Sequence, residues 1–475
     1  MTAEKGNLEK TREGQQGKEE RYDIVVIGGG PAGYIAAIKA ARLGKKTALA
    51  EKSVVGGTCL NRGCIPTKAY LKTAELIHAL RGAAERGINI APNSIQFDMA
   101  GALQEKNRVV KKLTGGVSAL LKSNGVTVFA GEARVKADKT ITIGERTISA
   151  DKVILAGGSK AARLNLAGMD SARVMTSDEI LDINEVPDIA VIIGGGVIGV
   201  EMASVLAAFG SKVTIIEIMD RILPLMDTDV SDAVAKSLKS MGILVHTGTK
   251  LERVQETEDG IEVFTDKQPP IHAACALLSV GRVPDLSAVA GLEIATERGY
   301  VQVDDYMRSS IDWIYAPGDI NGRMMLAHAA FHMGEVAALN AAGHTKKADL
   351  KYIPSCVYTM PEVGCVGLTQ DQAAQSYDIS VGYFPFGANG RALASGDTEG
   401  FVKLIADKKY GEVLGVHIVG PSAAEIINEA AALMAMEITV HEIAHISHAH
   451  PAFAEAFMEA AADAVGESLH LPPRQ

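Results

Sequence analysis

The stretch YDIVVIGGGPAGYIAAIKAARLG, residues 22–44, decides the fold. It begins as a continuous apolar run, turns through glycines and continues into small residues with the character of a helix. The next segment, KTALAEK, predicts a second strand that ends at Glu51. Gly28, Gly30 and Gly33 fit the pattern GxGxxG, and Glu51 lies 23 positions beyond the first of them. The glycine pattern alone would also fit an ordinary turn, but strand, turn, helix and acid together predict a dinucleotide-binding unit.

The same pattern returns at residues 189–217, IAVIIGGGVIGVEMASVLAAFGSKVTIIE. Gly194, Gly196 and Gly199 are followed by an acid, Glu217. Two such units on one chain indicate two different dinucleotides that exchange electrons. An acid at this strand end accepts hydrogen bonds from a free ribose and repels a 2′-phosphate, so the second unit is expected to prefer NAD to NADP. Arg221 is close enough in sequence to meet such a phosphate, but no arginine cluster accompanies it.

Composition limits the classes of partner. A chain of 475 residues is long enough for about three domains. The net charge of -10 argues against a basic face for nucleic acid or an anionic membrane. No apolar run reaches the roughly 18 residues that a membrane span needs. Residues 1–21 mix five basic and five acidic residues with almost nothing apolar, which predicts a disordered tail.

The segment GGTCLNRGCIPTK, residues 56–68, places Cys59 and Cys64 five positions apart. A disulfide that closes so short a loop would stabilise the fold by only about 2 kcal/mol before strain is subtracted. No second cysteine or histidine pair nearby completes a zinc site, so no metal is expected. Positions i and i+5 of a regular helix lie about 8–9 Å apart, beyond the roughly 7 Å that a disulfide can span. The chain must therefore bend; Gly63 permits a bend, and Pro66 can start a new helix.

A helix that starts here would lower the pKa of Cys64 and favour its thiolate. This favours a redox-active pair over a structural staple or a metal site. Five cysteines in so long a chain predict a reducing, cytoplasmic environment, in which such a pair has a catalytic use.

A thiol–disulfide centre also needs a base. The segment HISHAHPAFAE offers His445, His448 and His450, and Glu455 could orient one of them. Spacing alone does not choose among the three histidines.

The chain changes character from Ile353 onward. YIPSCVYTMPEVGCVGLT and EGFVKLIADKKYGEVLGVHIVG alternate like antiparallel strands, and alanine-rich helices follow from about Ala423. These features predict a third domain of sheet and helices with apolar faces suited to a subunit interface.

Seven motifs between about Tyr22 and Ala464 together resemble the flavoprotein disulfide oxidoreductases: GGGPAGY, GGTCLNRGCIPTK, GGGVIGVE, VGRVPD, IYAPGDI, YTMPEVGCVG and HAHPAFAE. The resemblance implies an α/β fold with two Rossmann-like dinucleotide-binding domains, for FAD and for NAD, plus a C-terminal α+β dimerisation domain. The implied ranges are 1–21 for the disordered tail, 22–160 for the FAD-binding domain, 161–286 for the NAD-binding domain, 287–353 for a central segment completing the FAD domain, and 354–475 for the interface domain.

The same resemblance assigns roles to residues. Cys64 would face the flavin and Cys59 would exchange with substrate. His450 would be the acid/base held by Glu455, both contributed by the other subunit of a homodimer, while Lys68 would form an ion pair with Glu201. The residues implied for FAD are Gly28, Gly30, Gly33, Glu51, Thr58, Lys68, Gly131, Ala156, Gly158, Asp319, Met325, Leu326, Ala327 and His328. Those implied for the NAD side are Gly194, Gly196, Gly199, Glu201, Glu217, Val254 and Gly281.

By this resemblance the chain oxidises protein-bound dihydrolipoamide to lipoamide and reduces NAD. The lipoyl domain would belong to an acyltransferase or to a glycine cleavage carrier protein. Two alternatives are a reductase of another small disulfide, such as glutathione, and a flavin-binding scaffold whose disulfide is only structural. The chain departs from the family pattern at two places: residues 156–158 read Ala-Gly-Gly where Ala-Thr-Gly is usual, and residues 452–454 read Ala-Phe-Ala where Thr-Leu-Ser is usual.

Overall fold

A computed structural model of the chain describes residues 20–91 and 94–472. Most of the tail predicted over residues 1–21 falls outside the described residues. The tail was predicted to end at residue 21, but the first strand already begins at Glu20, so the predicted tail overlaps this strand by two residues. The backbone of Glu20 and the next residue pairs in parallel with Ile148 and Ser149 of a neighbouring strand, so these two polar residues are held by the sheet.

The elements alternate between strands and helices along most of the chain. The strands are β1 (Glu20–Ile27), β2 (Thr47–Glu51), β3 (Thr127–Ala130), β4 (Ala133–Val135), β5 (Thr140–Ile143), β6 (Arg146–Leu155), β7 (Ser159–Ala161), β8 (Val174–Met175), β9 (Ile189–Ile193), β10 (Lys212–Ile216), β11 (Leu244–His246), β12 (Leu251–Glu256), β13 (Ile261–Thr265), β14 (Ile271–Ala273), β15 (Cys275–Leu278), β16 (Arg282–Pro284), β17 (Thr296–Glu297), β18 (Tyr300–Val301), β19 (Ile314–Tyr315), β20 (Ser355–Val357), β21 (Glu362–Gly367), β22 (Ile379–Pro385), β23 (Phe401–Asp407) and β24 (Val413–Gly420). The α-helices are α1 (Pro31–Arg42), α2 (Gly57–Arg62), α3 (Cys64–Arg81), α4 (Met99–Ser123), α5 (Ser177–Ile180), α6 (Val197–Phe209), α7 (Thr228–Ser240), α8 (Ala327–Ala341), α9 (Gln370–Ala374), α10 (Gly390–Ser395), α11 (Ala423–Ala435), α12 (Val440–Ile443) and α13 (Glu455–Ala464).

The first unit is a sheet that carries the first glycine turn. Its parallel strands follow the order β3–β2–β1–β6, and β6 also pairs with β19, which arrives from much later in the chain. Helices α1 and α8 pack very closely: a Cβ on Gly334 would be 2.3 Å from the Ala32 carbonyl oxygen. The segment proposed to complete this unit, 287–353, thus contributes both a strand and a helix to it.

The second unit repeats this arrangement with a five-stranded parallel sheet in the order β11–β10–β9–β15–β8. The antiparallel sheet β12–β13–β14 accompanies it. Strands β7 and β16 pair antiparallel with each other where the chain passes from the first unit to the second and back. The proposed domain boundaries at residues 160 and 286 fall within two residues of this ribbon.

The third unit is an antiparallel sheet in the order β20–β21–β24–β23–β22. Helices α11 and α13 lie close against it because glycines leave room: a Cβ on Gly364 would be 2.5 Å from the Ala423 carbonyl oxygen, and one on Gly382 would be 1.8 Å from that of Ala460. Two parallel α/β units and one unit of antiparallel sheet with helices confirm the predicted fold class.

A buried ion pair fastens the third unit to the second. The Lys403 side chain, in β23, is only 4% exposed, and its ammonium donates to Asp227 Oδ1 at 2.8 Å and Asp229 Oδ2 at 2.6 Å. The other oxygen of Asp227 accepts from the Gln370 amide at 2.9 Å. Since Asp227 is also buried, its charge depends on Lys403 for compensation.

Replacing Lys403 with methionine is therefore expected to lower the free energy of unfolding by about 3 kcal/mol, because Asp227 would be left as a buried, uncompensated charge. Urea unfolding followed by circular dichroism measures this change. The control is Lys408→Met, which breaks a pair with Asp378 on the surface and should cost less than about 0.5 kcal/mol. Equal effects of the two substitutions would show that the buried pair does not hold the units together.

Candidate active site

A cleft of about 1930 Å³ runs between the three units. Both glycine turns and both cysteines of the close pair line it, as do Cys356 and Tyr358 of the third unit. The two predicted dinucleotide sites and the predicted redox pair therefore share one space.

The first glycine turn packs the end of β1 against the end of β6. Gly28 has φ +97°, and a Cβ on it would be 2.3 Å from the Ala156 carbonyl oxygen. Gly33 faces back into the turn, where a Cβ would be 1.8 Å from the Gly28 carbonyl oxygen. Gly30 immediately precedes α1 and lines the cleft. Gly33 thus allows helix and strand to pack, while Gly28 and Gly30 let the backbone border the ligand space.

The second glycine turn repeats this geometry. Gly194 has φ +108°, and a Cβ on it would be 2.5 Å from the Ser279 carbonyl oxygen. A Cβ on Gly199 would be 2.0 Å from the Gly194 carbonyl oxygen. Gly196 precedes α6, and a Cβ there would meet only open space. The two units are built on one template.

The two predicted ribose-binding acids are held in the same way. Glu51 accepts hydrogen bonds from the Gly29 amide at 2.6 Å and the Ser53 amide at 2.8 Å. Glu217 accepts from the Gly195 amide at 2.6 Å and from the amide two positions after the acid at 2.7 Å. Both carboxylates line the cleft, so the backbone fixes each beside its glycine turn and leaves acceptor capacity for ribose hydroxyls.

Several helices begin at the cleft without a side-chain cap, among them α1, α2, α3, α6 and α8. By contrast, Asp98 caps α4 and Asp227 caps α7 away from it. Uncapped N–H groups at a helix start bear partial positive charge and bind phosphate groups. The starts of α1 and α6, each behind a glycine turn, therefore fit the pyrophosphates of FAD and NAD. The N-cap residues of these five helices are Gly30, Gly56, Gly63, Gly196 and Leu326.

The helix that carries the cysteines is interrupted at Gly63. Helix α2 ends just before it and α3 begins with Cys64, so the new helix starts two residues earlier than a start at Pro66 would give. A Cβ on Gly63 would be 3.0 Å from the Thr58 carbonyl oxygen, which shows how closely the bend packs. The interruption brings Cys59 and Cys64 into hydrogen-bonding contact.

The two cysteines are free thiols, and their pKa values are shifted in opposite directions. A hydrogen bond from the Cys59 thiol lowers the pKa of Cys64 to about 7, against the opposing effect of burial, and the Lys68 ammonium lowers it further. The same hydrogen bond, together with burial, raises the pKa of Cys59. Near neutral pH, Cys64 is therefore substantially a thiolate while Cys59 keeps its proton.

Lys68 joins the three units beside the cysteine pair. Its ammonium lies 3.0 and 2.8 Å from the two oxygens of Glu201, which is buried in α6, so the ion pair implied by the resemblance is present. Glu201 also accepts from the backbone amide of Tyr358 at 2.9 Å. The ring centroid of Tyr358 lies 4.4 Å from the same ammonium.

A polar network around Asp319 was not predicted from the sequence. Ser159 Oγ donates to Asp319 Oδ2 at 2.6 Å, and Arg282 Nε donates to Ser159 Oγ at 2.7 Å. Arg282 Nη2 also reaches Thr58 Oγ1 at 3.3 Å. Arg282 belongs to the motif VGRVPD, but these partners lie more than 100 positions away, so the motif does not predict its contacts.

Other residues that were predicted for the flavin side or the NAD side also line the cleft. Val254 is an exception: it is buried in β12 behind the cleft, and its amide donates to the Ala167 carbonyl. A Cβ on Gly168 would be 1.9 Å from the Val254 carbonyl oxygen, so this residue packs in the core of the second unit and not along the NAD side. The predicted residues that line the cleft are Gly131, Ala156, Gly158, Gly281, Met325, Leu326, Ala327 and His328; Thr249, Lys250 and Leu251 stand where Val254 was expected.

The three histidines near the C-terminus differ in their surroundings. His448 is buried, and both ring nitrogens are used: Nε2 contacts Glu429 at 3.0 Å and Nδ1 contacts the Ile446 carbonyl at 2.9 Å. His445 is 72% exposed, and Nε2 lies 3.6 Å from Glu467. His448 is therefore a structural residue, which leaves the two exposed histidines as candidates.

His450 has the geometry of an oriented base. Its side chain is 76% exposed, and Nδ1 donates to Glu455 Oε1 at 2.9 Å. The Ala452 amide donates to Glu455 Oε2 at 2.8 Å. Burial opposes the shift, but the Ala452 amide and the His450 ring lower the pKa of Glu455. Of the residues that the structure describes, those lining the chain's own cleft include neither His450 nor Glu455.

Within residues 20–91 and 94–472, no group of three or more histidine, cysteine or acidic side chains is placed to hold a metal ion. No helix in these same ranges combines the length and the apolar character needed to cross a membrane.

Comparison with known proteins gives two family matches. Residues 22–334 match the family described as pyridine nucleotide-disulphide oxidoreductase, and residues 353–461 match its dimerisation domain.

Individual relatives cover nearly the whole chain. A dihydrolipoyl dehydrogenase of Bacillus subtilis (strain 168) is 39% identical over 472 residues, covering 94% of this chain and 99% of the relative. One of Haloferax volcanii is 40% identical, with 94% and 97% covered. Similar solved structures include LpdA from Mycobacterium tuberculosis (TM-score 0.86, 28% identity, 93% and 99% covered). Another is the HOCl-induced flavoprotein disulfide reductase RclA from Escherichia coli (TM-score 0.83, 29% identity, 91% and 98% covered).

Proposed function

Because this chain belongs to the pyridine nucleotide-disulphide oxidoreductase family, we propose that it is a dihydrolipoyl dehydrogenase. It oxidises a protein-bound dihydrolipoyl group to the lipoyl ring and reduces NAD to NADH, with FAD as a second cofactor. The observation that carries the proposal is the single cleft in which two dinucleotide-binding turns meet a pair of close cysteines.

The chain's own residues would hold both cofactors. The start of α1 and Glu51 would bind the pyrophosphate and ribose of FAD, and the start of α6 and Glu217 would do the same for NAD. Asp319, fixed by Ser159, would accept a hydrogen bond from the ribityl chain of the flavin. Bound FAD and NAD would supply the hydride chemistry that no side chain of the protein provides.

The cysteine pair performs the disulfide exchange. In the oxidised form of the pair, a substrate thiolate attacks the Cys59 sulfur, forms a mixed disulfide and releases Cys64 as a thiolate. The second substrate thiol attacks the substrate sulfur of that mixed disulfide, which closes the lipoyl ring and leaves Cys59 to be protonated. Because thiols of low pKa leave faster, the lowered pKa of Cys64 favours the first step.

His450 moves the protons of this exchange. Glu455 holds Nδ1–H of the imidazole, so Nε2 is oriented to take the proton of the incoming thiol. Since His450 is absent from the described lining of its own cleft, we place it in the cleft of a second copy of the chain. The match of residues 353–461 to a dimerisation domain supports this homodimer.

The partners are then lipoyl domains of an acyltransferase or of a glycine cleavage carrier protein. A cytoplasmic location follows as a further proposal from the five cysteines, which are all free thiols. The proposal is tested by assaying the purified holoenzyme with dihydrolipoamide and NAD, and in parallel with glutathione disulfide and NADPH. Activity only in the second assay would identify a reductase of another disulfide, and activity in neither would favour a flavin-binding scaffold.

The carboxylate of Glu217 is expected to set the preference for NAD over NADP. Glu217→Gln removes the charge that repels a 2′-phosphate and should reduce the ratio of kcat/KM for NAD to that for NADP by about tenfold. The control, Asp220→Asn, makes the same charge change three positions away on an exposed residue that does not line the cleft. If Glu217→Gln and the parent enzyme had equal ratios, Glu217 would not determine the preference for NAD over NADP.

A further inference from the structure

We propose that Tyr358 is a positioning residue through which the third unit adjusts the cysteine pair of the first. The inference rests on the proposed function only in treating Cys64 as a reactive thiol. Tyr358 lies 294 positions from Cys64 in sequence, yet it lines the same cleft.

Tyr358 contacts both members of the Lys68–Glu201 ion pair. Its backbone amide donates to Glu201 Oε1 at 2.9 Å, the oxygen that also lies 3.0 Å from the Lys68 ammonium. Its ring covers that ammonium, with 4.4 Å between the nitrogen and the ring centroid. One residue therefore fixes the carboxylate through its main chain and the ammonium through its side chain.

The segment that carries Tyr358 is held at both ends. At its start, His328 Nε2 contacts the Pro354 carbonyl oxygen at 2.7 Å, which ties the segment to α8 of the first unit. At its other end, Tyr358 is tied to Glu201 of the second unit. The segment from Pro354 to Tyr358 therefore connects the third unit to both of the others and to the ion pair.

The ring matters because Lys68 is partly open to water. Its side chain is 30% exposed, and solvent weakens the field that an ammonium exerts on its neighbours. An aromatic ring over the ammonium is attracted to it and excludes water from that side. We expect the ring to strengthen the influence of Lys68 on Cys64.

Among the groups that face Cys64, Lys68 is the cation that lowers the pKa of this thiol. Cys59 donates to it from α2, Lys68 lowers its pKa, and Glu201 from α6 opposes Lys68. From the third unit, burial raises the pKa of Tyr358 to about 12 and that of Cys356 to about 11, so both are neutral at neutral pH. The position of Lys68 relative to Glu201 therefore sets the balance of charge at the thiolate.

The test titrates Cys64 in the full-length holoenzyme. In a Cys59→Ser background, the ultraviolet absorbance of the thiolate is followed against pH, with Cys59→Ser/Cys64→Ser as the blank. Burial keeps the other three thiols protonated below about pH 9, since it raises the pKa of Cys275 and Cys356 to about 11 and raises that of Cys365 as well. The measured midpoint therefore belongs to Cys64.

Tyr358→Leu is expected to raise this midpoint by about half a pH unit, while Tyr358→Phe, which keeps the ring, leaves it unchanged. Tyr358→Met, which fills a similar space without a ring, should behave like the leucine variant and serves if that variant does not fold. The matched control is Tyr352→Leu, which removes the ring from another lysine–tyrosine contact, with Lys351, outside the cleft.

An unchanged midpoint in the variants without a ring would overturn the proposal, as would an equal shift in Tyr358→Phe. The titration requires no substrate. Its result can contradict this inference while the dihydrolipoamide assay succeeds, or support the inference while that assay fails. Failure of this inference is therefore distinguishable from failure of the proposed function.

Discussion

Cys64→Ser is expected to lower the rate of NADH formation from dihydrolipoamide by on the order of 10⁴-fold or more. A serine hydroxyl neither forms the disulfide nor leaves as a stable anion near neutral pH, so the exchange with substrate has no acceptor. The rate is measured from NADH absorbance, and flavin content from visible absorbance, so that loss of chemistry is separated from loss of cofactor.

The control for this prediction is Cys275→Ala. Cys275 is buried in β15, and burial raises its pKa to about 11, so it takes no part in exchange. Its substitution should leave turnover close to that of the parent enzyme. If Cys64→Ser kept its flavin and more than about one hundredth of the parent rate, the cysteine pair would not be the redox centre.

The local parts of the site could be predicted from the sequence because their signals lie close together. Strand, glycine turn, helix and acid occupy only the stretch from Tyr22 to Glu51, and each has its own residue pattern. The bend at Gly63 followed from the reach of a disulfide compared with the rise of a helix. In these cases, covalent geometry and backbone preference are sufficient.

The remaining parts depend on contacts between distant segments. Arg282 and Tyr358 take their roles from partners that are far away in the chain, and Val254 lies in the core because a neighbouring glycine packs onto its carbonyl. Spacing could not separate His448 from His450, since burial distinguishes them and burial is a property of the folded chain.

His450→Ala is expected to lower turnover of dihydrolipoamide by about 10²- to 10⁴-fold, the range that general acid–base groups contribute. The loss should be greatest at lower pH, where fewer substrate thiols ionise without help. The matched control is His445→Ala, since His445 is similarly exposed and also faces a carboxylate, Glu467. Equal losses in both variants would show that neither is specifically the base.

A mixing experiment tests whether His450 acts across the subunit interface. Cys64→Ser and His450→Ala chains are each expected to have little activity as homodimers. In a hybrid dimer, the intact cysteines of one chain meet the intact histidine of the other, so one of its two sites is complete. Refolding the two variants together should therefore restore activity, up to about half of the parent rate per hybrid dimer. No recovery despite hybrid formation would place the base in the same chain as the cysteines.

The uncapped starts of α1 and α6 have a consequence for the newly made protein. Before any cofactor arrives, their N–H groups have no side-chain partner, and the folded state lacks the contribution that a bound dinucleotide makes. A ligand present at a hundredfold excess over its dissociation constant adds about 2.7 kcal/mol to stability. Chains that have not yet acquired flavin are therefore the ones most open to proteolysis. The amount of enzyme in a cell is then expected to depend on the supply of the vitamin from which flavin is made, as well as on the rate at which the enzyme is synthesised.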